Sequence, residues 1–194
     1  MWSKNFSGPD KVITISQGGG AVTCAKGLQI ISSHSFSDCP KLDYLLVPGG
    51  WGTRAEVLNE KLISFIKEVS KDCKGILSVC TGAFLLQAAG LLNEKMATTH
   101  WRSLDRLRAF DEVTVLEERI VKDGIIWSSA GISSGIDLAL AFVSEISGEE
   151  IAGNVQFQME YYPSGKRYGN LHNSKDAPSY LKLKRSSRVL SGSS

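Results

Sequence analysis

The sequence predicts an α/β protein: a three-layer α/β/α sandwich around a mostly parallel sheet, with a small antiparallel hairpin. Three observations predict it. Tyr44–Val47 (YLLV) and Gly75–Val79 (GILSV) are short unbroken apolar runs, the pattern of parallel strands covered on both faces. Between them, residues 54–70 place apolar side chains at 57, 58, 62, 65, 66 and 69, a helical period. Strand-like and helix-like segments then keep alternating along the chain. Ligands of such sheets sit at the carboxyl ends of the strands. Here those ends carry Pro48-Gly49-Gly50 and Cys80.

The elements follow in order. Residues 1–11 read as a loose leader. VITIS (Val12–Ser16) is β-branched and reads as a strand, followed by a turn and a short strand at Ala21–Cys24. The three glycines Gly18, Gly19 and Gly20 lack phosphate-loop spacing: no GxGxxG occurs there and no GK[ST] follows. A further strand is expected at Leu28–Ile31, then YLLV, the helix over 54–70, and GILSV. TGAFLLQAAGLL continues as a helix directly from Cys80. RSLDRLRAF supplies one or two helical turns. Strands are expected at Val113–Leu116 and Ile125–Ser128, with the Lys-Asp-Gly turn between them. SSGIDLALAFVSEISG is a helix that Ser133 or Ser134 could cap. Another helix runs from Glu149 to about Tyr161. The domain is placed at 12–181, with a basic, disordered tail at 182–194.

Composition narrows the function classes. A chain of 194 residues with 22% charged residues suits one domain with a sizeable core. The formal charge is +2, yet Lys182, Lys184, Arg185 and Arg188 carry four positive charges in the tail, so the remainder is net acidic. No basic face is implied, and specific nucleic-acid binding is not expected. Cys24, Cys39, Cys73 and Cys80 form no CxxC and no metal-like spacing with histidine, which fits reduced thiols in a cytoplasmic protein with no cofactor or metal. No apolar stretch reaches membrane-spanning length, and the N-terminus has no signal-peptide core.

The chemistry centres on Cys80. A cysteine between a strand and a helix is pushed clear of the backbone, and the first helical N–H groups favour its thiolate. Gly82 eases the tight turn. The N–H of Thr81 lies where an oxyanion would develop, and Gly49 or Gly50 on the neighbouring strand end could supply a second donor. An inert buried cysteine is the competing reading. His100, which follows two threonines, could accept the thiol proton, orient a water, or serve as a structural imidazole. His34 and His172 sit in polar, solvated contexts. Glu56, Glu94, Asp105 and Asp137 are candidate orienting acids, Asp137 equally a helix-capping residue.

LLVPGG, SVCTGAFLLQAAGLL, ATTHW and SSAGISSGIDLAL together resemble the DJ-1/PfpI family, within the class I glutamine amidotransferase-like fold, over roughly Val12 to Leu181. The similarity is strongest to the branch of isonitrile hydratases and amidase-like domains of AraC-type regulators. The resemblance implies a flavodoxin-like sandwich, usually a homodimer. It places the nucleophile at Cys80, a neighbouring hydroxyl at Thr81, the oxyanion segment at Gly49 and Gly50, and a histidine at His100. It implies a cysteine-dependent hydratase or hydrolase of a small carbon–nitrogen substrate. The alternative is a catalytically impaired binding, regulatory or thiol-sensor module. Glyoxalase-like chemistry belongs to other branches.

One departure stands out. Family members typically begin with a strand, then an acidic residue that activates the cysteine, then a helix. Here the leader passes straight into VITIS, which matches the family's second strand, so no Asp or Glu is carried over. Asp10 is the only acid upstream of Val12. An unfilled place in the sheet and a thiol without its acid are the expected consequences.

Overall fold

The structure, a computed structural model, describes residues 11–182. The elements are β1 (Ile15–Ser16), β2 (Gly20–Thr23), β3 (Gln29–Ser32), β4 (His34–Ser35), β5 (Tyr44–Val47), α1 (Thr53–Glu56), α2 (Glu60–Val69), β6 (Gly75–Val79), α3 (Ala83–Ala88) and β7 (Lys95–Ala97). They continue with α4 (Leu104–Arg108), β8 (Val113–Val115), β9 (Ile120–Asp123), β10 (Ile126–Ser129), α5 (Ser134–Ser147) and α6 (Glu149–Gln158). The central sheet runs β5-β6-β10-β9. Its first three strands are parallel, and β9 returns antiparallel beside β10. Two parallel pairs, β1–β4 and β7–β8, and the antiparallel pair β2–β3 stand outside it.

Period-two alternation sorts the strand residues between two helical layers. Leu45, Val47, Ile76 and Ile126 face one core with Ile66 of α2 and Phe84 and Leu86 of α3. Leu77 and Trp127 face the other, with Leu138 and Phe142 of α5. Tyr44 and Trp127 meet the Phe142 ring edge-on, at 5.1 and 5.6 Å between centroids. Gly75 is required by the same ring: a Cβ there would lie 2.8 Å from two Phe142 carbons. The register matches Val47 with Ser78, and Val79 with Ser129. The carboxyl ends of β5, β6 and β10 therefore finish at one edge, carrying Pro48, Cys80 and Ala130.

Several elements differ from the sequence expectation. The expected helix over 54–70 is broken into α1 and α2. Asn59 leaves helical geometry (φ −80, ψ 91) and its side chain accepts the Leu62 N–H at 3.3 Å, so it caps α2. VITIS is strand only at β1: Thr14 instead trades side-chain and backbone hydrogen bonds with Ser33. The strands expected at Ala21–Cys24 and Leu28–Ile31 are shifted by one residue, as is Ile125–Ser128. The Lys-Asp-Gly turn does not join the two expected strands; it closes a hairpin between β9 and β10, with Gly124 at φ +60. Lys95–Ala97 is a strand paired with β8 rather than a bare step. Neither Ser133 nor Ser134 caps α5; the Ser134 hydroxyl donates back to the Gly131 carbonyl. The last helix stops at Gln158, and Glu160 turns to φ 49.

Among the described residues, β5 is the outer strand of the central sheet, and Leu46 in its middle is 51% exposed. It lies beside Leu77, which α5 covers. The expected leader falls, apart from Lys11, outside the described residues, and so does the tail beyond Lys182. No described helix is long and apolar enough to cross a membrane.

Candidate active site

Strand β6 ends in extended geometry at Val79 (φ −115, ψ 133), and the chain then reverses at Cys80 with φ 57. A non-glycine residue in the left-handed region is strained, and such strain concentrates where a side chain must be presented. Cys80–Gly82 forms a short 3-10 turn that leads into α3. The thiol residue is half-buried at the bend.

Two glycines let the neighbouring strand end press against this turn. A Cβ at Gly49 would lie 2.6 Å from the Thr81 nitrogen and 2.7 Å from the Val79 oxygen. A Cβ at Gly82 would lie 2.3 Å from the Val47 oxygen. Any side chain at either position would force the two strand ends apart. Thr81 then fastens them: its hydroxyl accepts the Gly50 N–H at 2.9 Å and donates to the Gly50 carbonyl at 3.1 Å. Gly50 sits at φ +140. The Gly50 N–H is thus committed to Thr81 instead of facing the sulfur as a free second oxyanion donor. The Thr81 hydroxyl is likewise engaged. Gly49, lacking a Cβ, packs directly against the Thr81 backbone nitrogen.

The ATTHW segment explains itself residue by residue. Thr98, fully buried, donates its N–H to the Ser128 hydroxyl at 2.9 Å and its own hydroxyl to the Glu118 carbonyl at 3.0 Å. Thr99, also fully buried, donates to the Cys80 carbonyl at 2.7 Å. These bonds bring His100 to the cysteine's edge of the sheet. Its ring stacks beside Trp101, with centroids 6.0 Å apart, and passes over Gly131, where a Cβ would lie 3.3 Å from the ring. His100 Nδ1 accepts the Arg102 N–H at 3.3 Å, which assigns the remaining proton to Nε2 in the neutral ring. Burial first, and then the Arg102 charge, holds the imidazole below its usual value. A neutral ring in this tautomer offers a donor from Nε2, not a base.

Three of the four candidate acids are engaged elsewhere. Asp137 receives Nε and Nη2 of Arg119 and the Tyr161 hydroxyl; it is an ion-pair partner, not a cap. Glu56 accepts from Asn59 at 2.7 Å, and Asp105 from Arg108 at 2.6 Å. Glu94 sits on a turn at φ 58. Among the described residues, no carboxylate hydrogen-bonds the Cys80 sulfur. His34 is on β4 and His172 on a turn at Leu171–Asn173. Sequence reasoning missed Thr98, Thr99, Ser128, Gly131 and Arg119; the consecutive buried threonines were the available signal. A cleft of about 350 Å³ lies at the opposite end of the strands, lined by Ile76, Ile126 and Leu91.

An α/β sandwich whose strained cysteine stands at a β-to-α bend, locked to a Gly-Gly strand end, defines the class of cysteine-elbow proteins. Within that class, the chain belongs to the DJ-1/PfpI family, whose model matches residues 8–145. It is 41% identical to the isonitrile hydratase of Pseudomonas putida over 143 residues, covering 74% of this chain and 62% of that protein. The chain thus spans less than two thirds of that relative's length. It is 33% identical over 142 residues to the Parkinson disease protein 7 homolog of Danio rerio, covering 70% of this chain and 74% of that protein. A solved THiJ/PfpI family protein from Pseudomonas syringae superimposes with a TM-score of 0.79 at 32% identity, over 89% of this chain and 71% of that one. A transcriptional regulator of Pseudomonas aeruginosa, CdhR, is 28% identical over 145 residues, covering 74% of this chain and 43% of that protein.

Proposed function

We propose that the chain is a cysteine-dependent hydratase of a small carbon–nitrogen substrate, of the isonitrile hydratase type. The observation that carries this reading is the left-handed Cys80 at the end of β6, a conformation that presents the sulfur at the strand edge. The Cys80 sulfur attacks the terminal isonitrile carbon, and that carbon takes up the thiol proton, giving a thioimidate, R–N=CH–S–Cys. Water adds to the same carbon, the C–S bond breaks, and the thiol regains its proton. The product is the N-substituted formamide, R–NH–CHO. The Thr81 backbone N–H and His100 Nε2–H are donors for the charge that develops on the way. Gly49, Gly50 and the Thr81 hydroxyl keep the adjoining backbone in place. Two chains in a homodimer are the working assembly.

The test is formamide release from cyclohexyl isocyanide by the purified chain. Turnover that disappears in Cys80→Ser supports the reading; release unchanged in that variant defeats it. The second reading is a binding, regulatory or thiol-sensor module. It is favoured by the lack of a described carboxylate on the sulfur, and it predicts no turnover while Cys80 still reacts with alkylating reagents.

A further inference from the structure

The two threonines before His100 spend their hydroxyls differently. Thr98 ties its own segment to Ser128 and to the Glu118 carbonyl. Thr99, two residues beyond β7, reaches back 19 positions along the chain: its hydroxyl donates to the Cys80 carbonyl at 2.7 Å. Thr99 is fully buried, so bulk water does not compete for that bond. Its β-branched side chain has few χ1 rotamers, which keeps the hydroxyl aimed.

The acceptor belongs to a strained residue. Cys80 has φ 57, a conformation that a non-glycine residue keeps only where its surroundings impose it. The Cys80 carbonyl and the Thr81 N–H are the two poles of one planar trans peptide and point in opposite directions. Fixing the carbonyl therefore fixes the N–H. On its nitrogen side this peptide is bounded by Gly49, where a Cβ would lie 2.6 Å from the Thr81 nitrogen. The Thr81 side chain is in turn pinned to Gly50 by two hydrogen bonds. Thr99 holds the carbonyl end.

We propose that Thr99 is a positioning residue for Cys80: its hydroxyl locks the Cys80–Thr81 peptide, and through it the presentation of the sulfur and the direction of the Thr81 N–H. Thr99 acts through the peptide and not on the reacting atoms. The proposal rests on the reading of Cys80 as the nucleophile. Without the donor, the peptide can rotate as Cys80 relaxes towards unstrained backbone, and the sulfur leaves its presented position.

The experiment measures the rate of Cys80 alkylation by iodoacetamide on folded protein, resolved by peptide mass spectrometry, with the exposed Cys24 as internal reference. Thr99→Val keeps the shape and removes the donor; it is expected to slow Cys80 about tenfold and leave Cys24 unchanged. Thr99→Ser restores the hydroxyl and is expected to bring the rate back to within about threefold of the parent. Ser70→Ala removes another buried hydroxyl-to-carbonyl bond, to Ile66, beside the cleft at the opposite end of the strands. It is expected to lower stability while the Cys80 rate stays within about twofold. A Cys80 rate in Thr99→Val equal to or above the parent's, or a Thr99→Ser as slow as Thr99→Val, overturns the proposal and leaves the nucleophile reading intact. Should Thr99→Val fail to fold, the parent protein decides. Proton NMR is expected to show a slowly exchanging Thr99 hydroxyl proton, and one in fast exchange with water overturns the proposal. Cys80 that resists iodoacetamide in the folded parent, yet reacts once unfolded, overturns the nucleophile reading and the proposal with it.

Discussion

Thr81 and Gly50 exchange two hydrogen bonds through one hydroxyl: it accepts the Gly50 N–H and donates to the Gly50 carbonyl. The pair joins the end of β5 to the turn after β6, with Thr81 itself buried. Thr81→Val keeps the shape and removes both bonds, leaving two backbone groups without their partner. The expected cost is about 2 kcal/mol. Thr81→Ser restores the hydroxyl and is expected to recover most of it. Urea denaturation of the three proteins measures both effects, and a Val variant as stable as the parent would show the exchange to be incidental.

The interlock of Gly49 and Gly82 makes a sharper prediction. Gly82→Ala places a methyl 2.3 Å from the Val47 oxygen, a backbone atom that cannot move without shifting β5. The helical propensity gained from alanine is about 1 kcal/mol. The clash outweighs it, and a net loss of about 2 kcal/mol is expected. Gly49→Ala meets backbone at 2.6 and 2.7 Å and covers the Thr81 N–H as well. It is expected to lower both stability and turnover, whereas Gly153→Ala, with open space around it, is expected to lower neither. Thermal unfolding and the formamide assay separate the three.

The burial of Cys73 predicts which thiol reacts. Burial first, then the charge of Asp72 and its neighbours, pushes the Cys73 thiol up to about 11. Its sulfur is also directed at the Leu42 and Val69 carbonyls. Folded protein treated with iodoacetamide at pH 8 is expected to be modified at Cys80 and not at Cys73; denatured protein is expected to be modified at both. Peptide mass spectrometry reads the order, and labelling of Cys73 ahead of Cys80 would contradict it.

GILSV was legible because burial on both faces leaves a continuous apolar run, and YLLV because its run is equally unbroken although Leu46 is 51% exposed; both were placed to the residue. Strand β9 was not legible, since Ile120–Asp123 is two apolar residues followed by two charged ones and depends on pairing with β10 rather than on its own composition. The break at Asn59 carried a signal in the asparagine itself, hidden by apolar residues on either side. The bend at Cys80 followed from the absence of any loop residue after Val79. The commitment of the Gly50 N–H to Thr81 did not, because it depends on a register between strands that no local pattern encodes. Thr98 and Thr99 escaped for the same reason: their partners, Ser128, Glu118 and Cys80, lie far along the chain.

The left-handed backbone at Cys80 can be separated from its chemistry. Glycine occupies φ near +60 without a Cβ penalty, whereas alanine retains it. Cys80→Gly is therefore expected to be more stable than Cys80→Ala by about 1 kcal/mol, although glycine in an unstrained position ordinarily costs stability. Both variants are expected to lose turnover entirely. If Cys80→Ala proved the more stable of the two in chemical denaturation, the strain assigned to this residue would be absent.

His100 gives a pH dependence of definite sign. Burial and the Arg102 charge hold its ring below the usual value of 6.5, so folding favours the neutral form. Between the folded and unfolded midpoints the unfolded chain binds more protons, and stability rises with pH across that window. The contribution is fully present above the unfolded value and is lost as pH falls through the depressed folded one. Arg102→Gln removes the second of the two causes and is expected to move the midpoint part of the way back up, leaving the effect of burial. Proton NMR of the imidazole Cε1–H follows the titration directly. A midpoint at or above 6.5 in the parent protein would mean that the ring is not held neutral by its surroundings, and the acceptor role of Nδ1 toward the Arg102 N–H would then be lost on protonation near neutral pH.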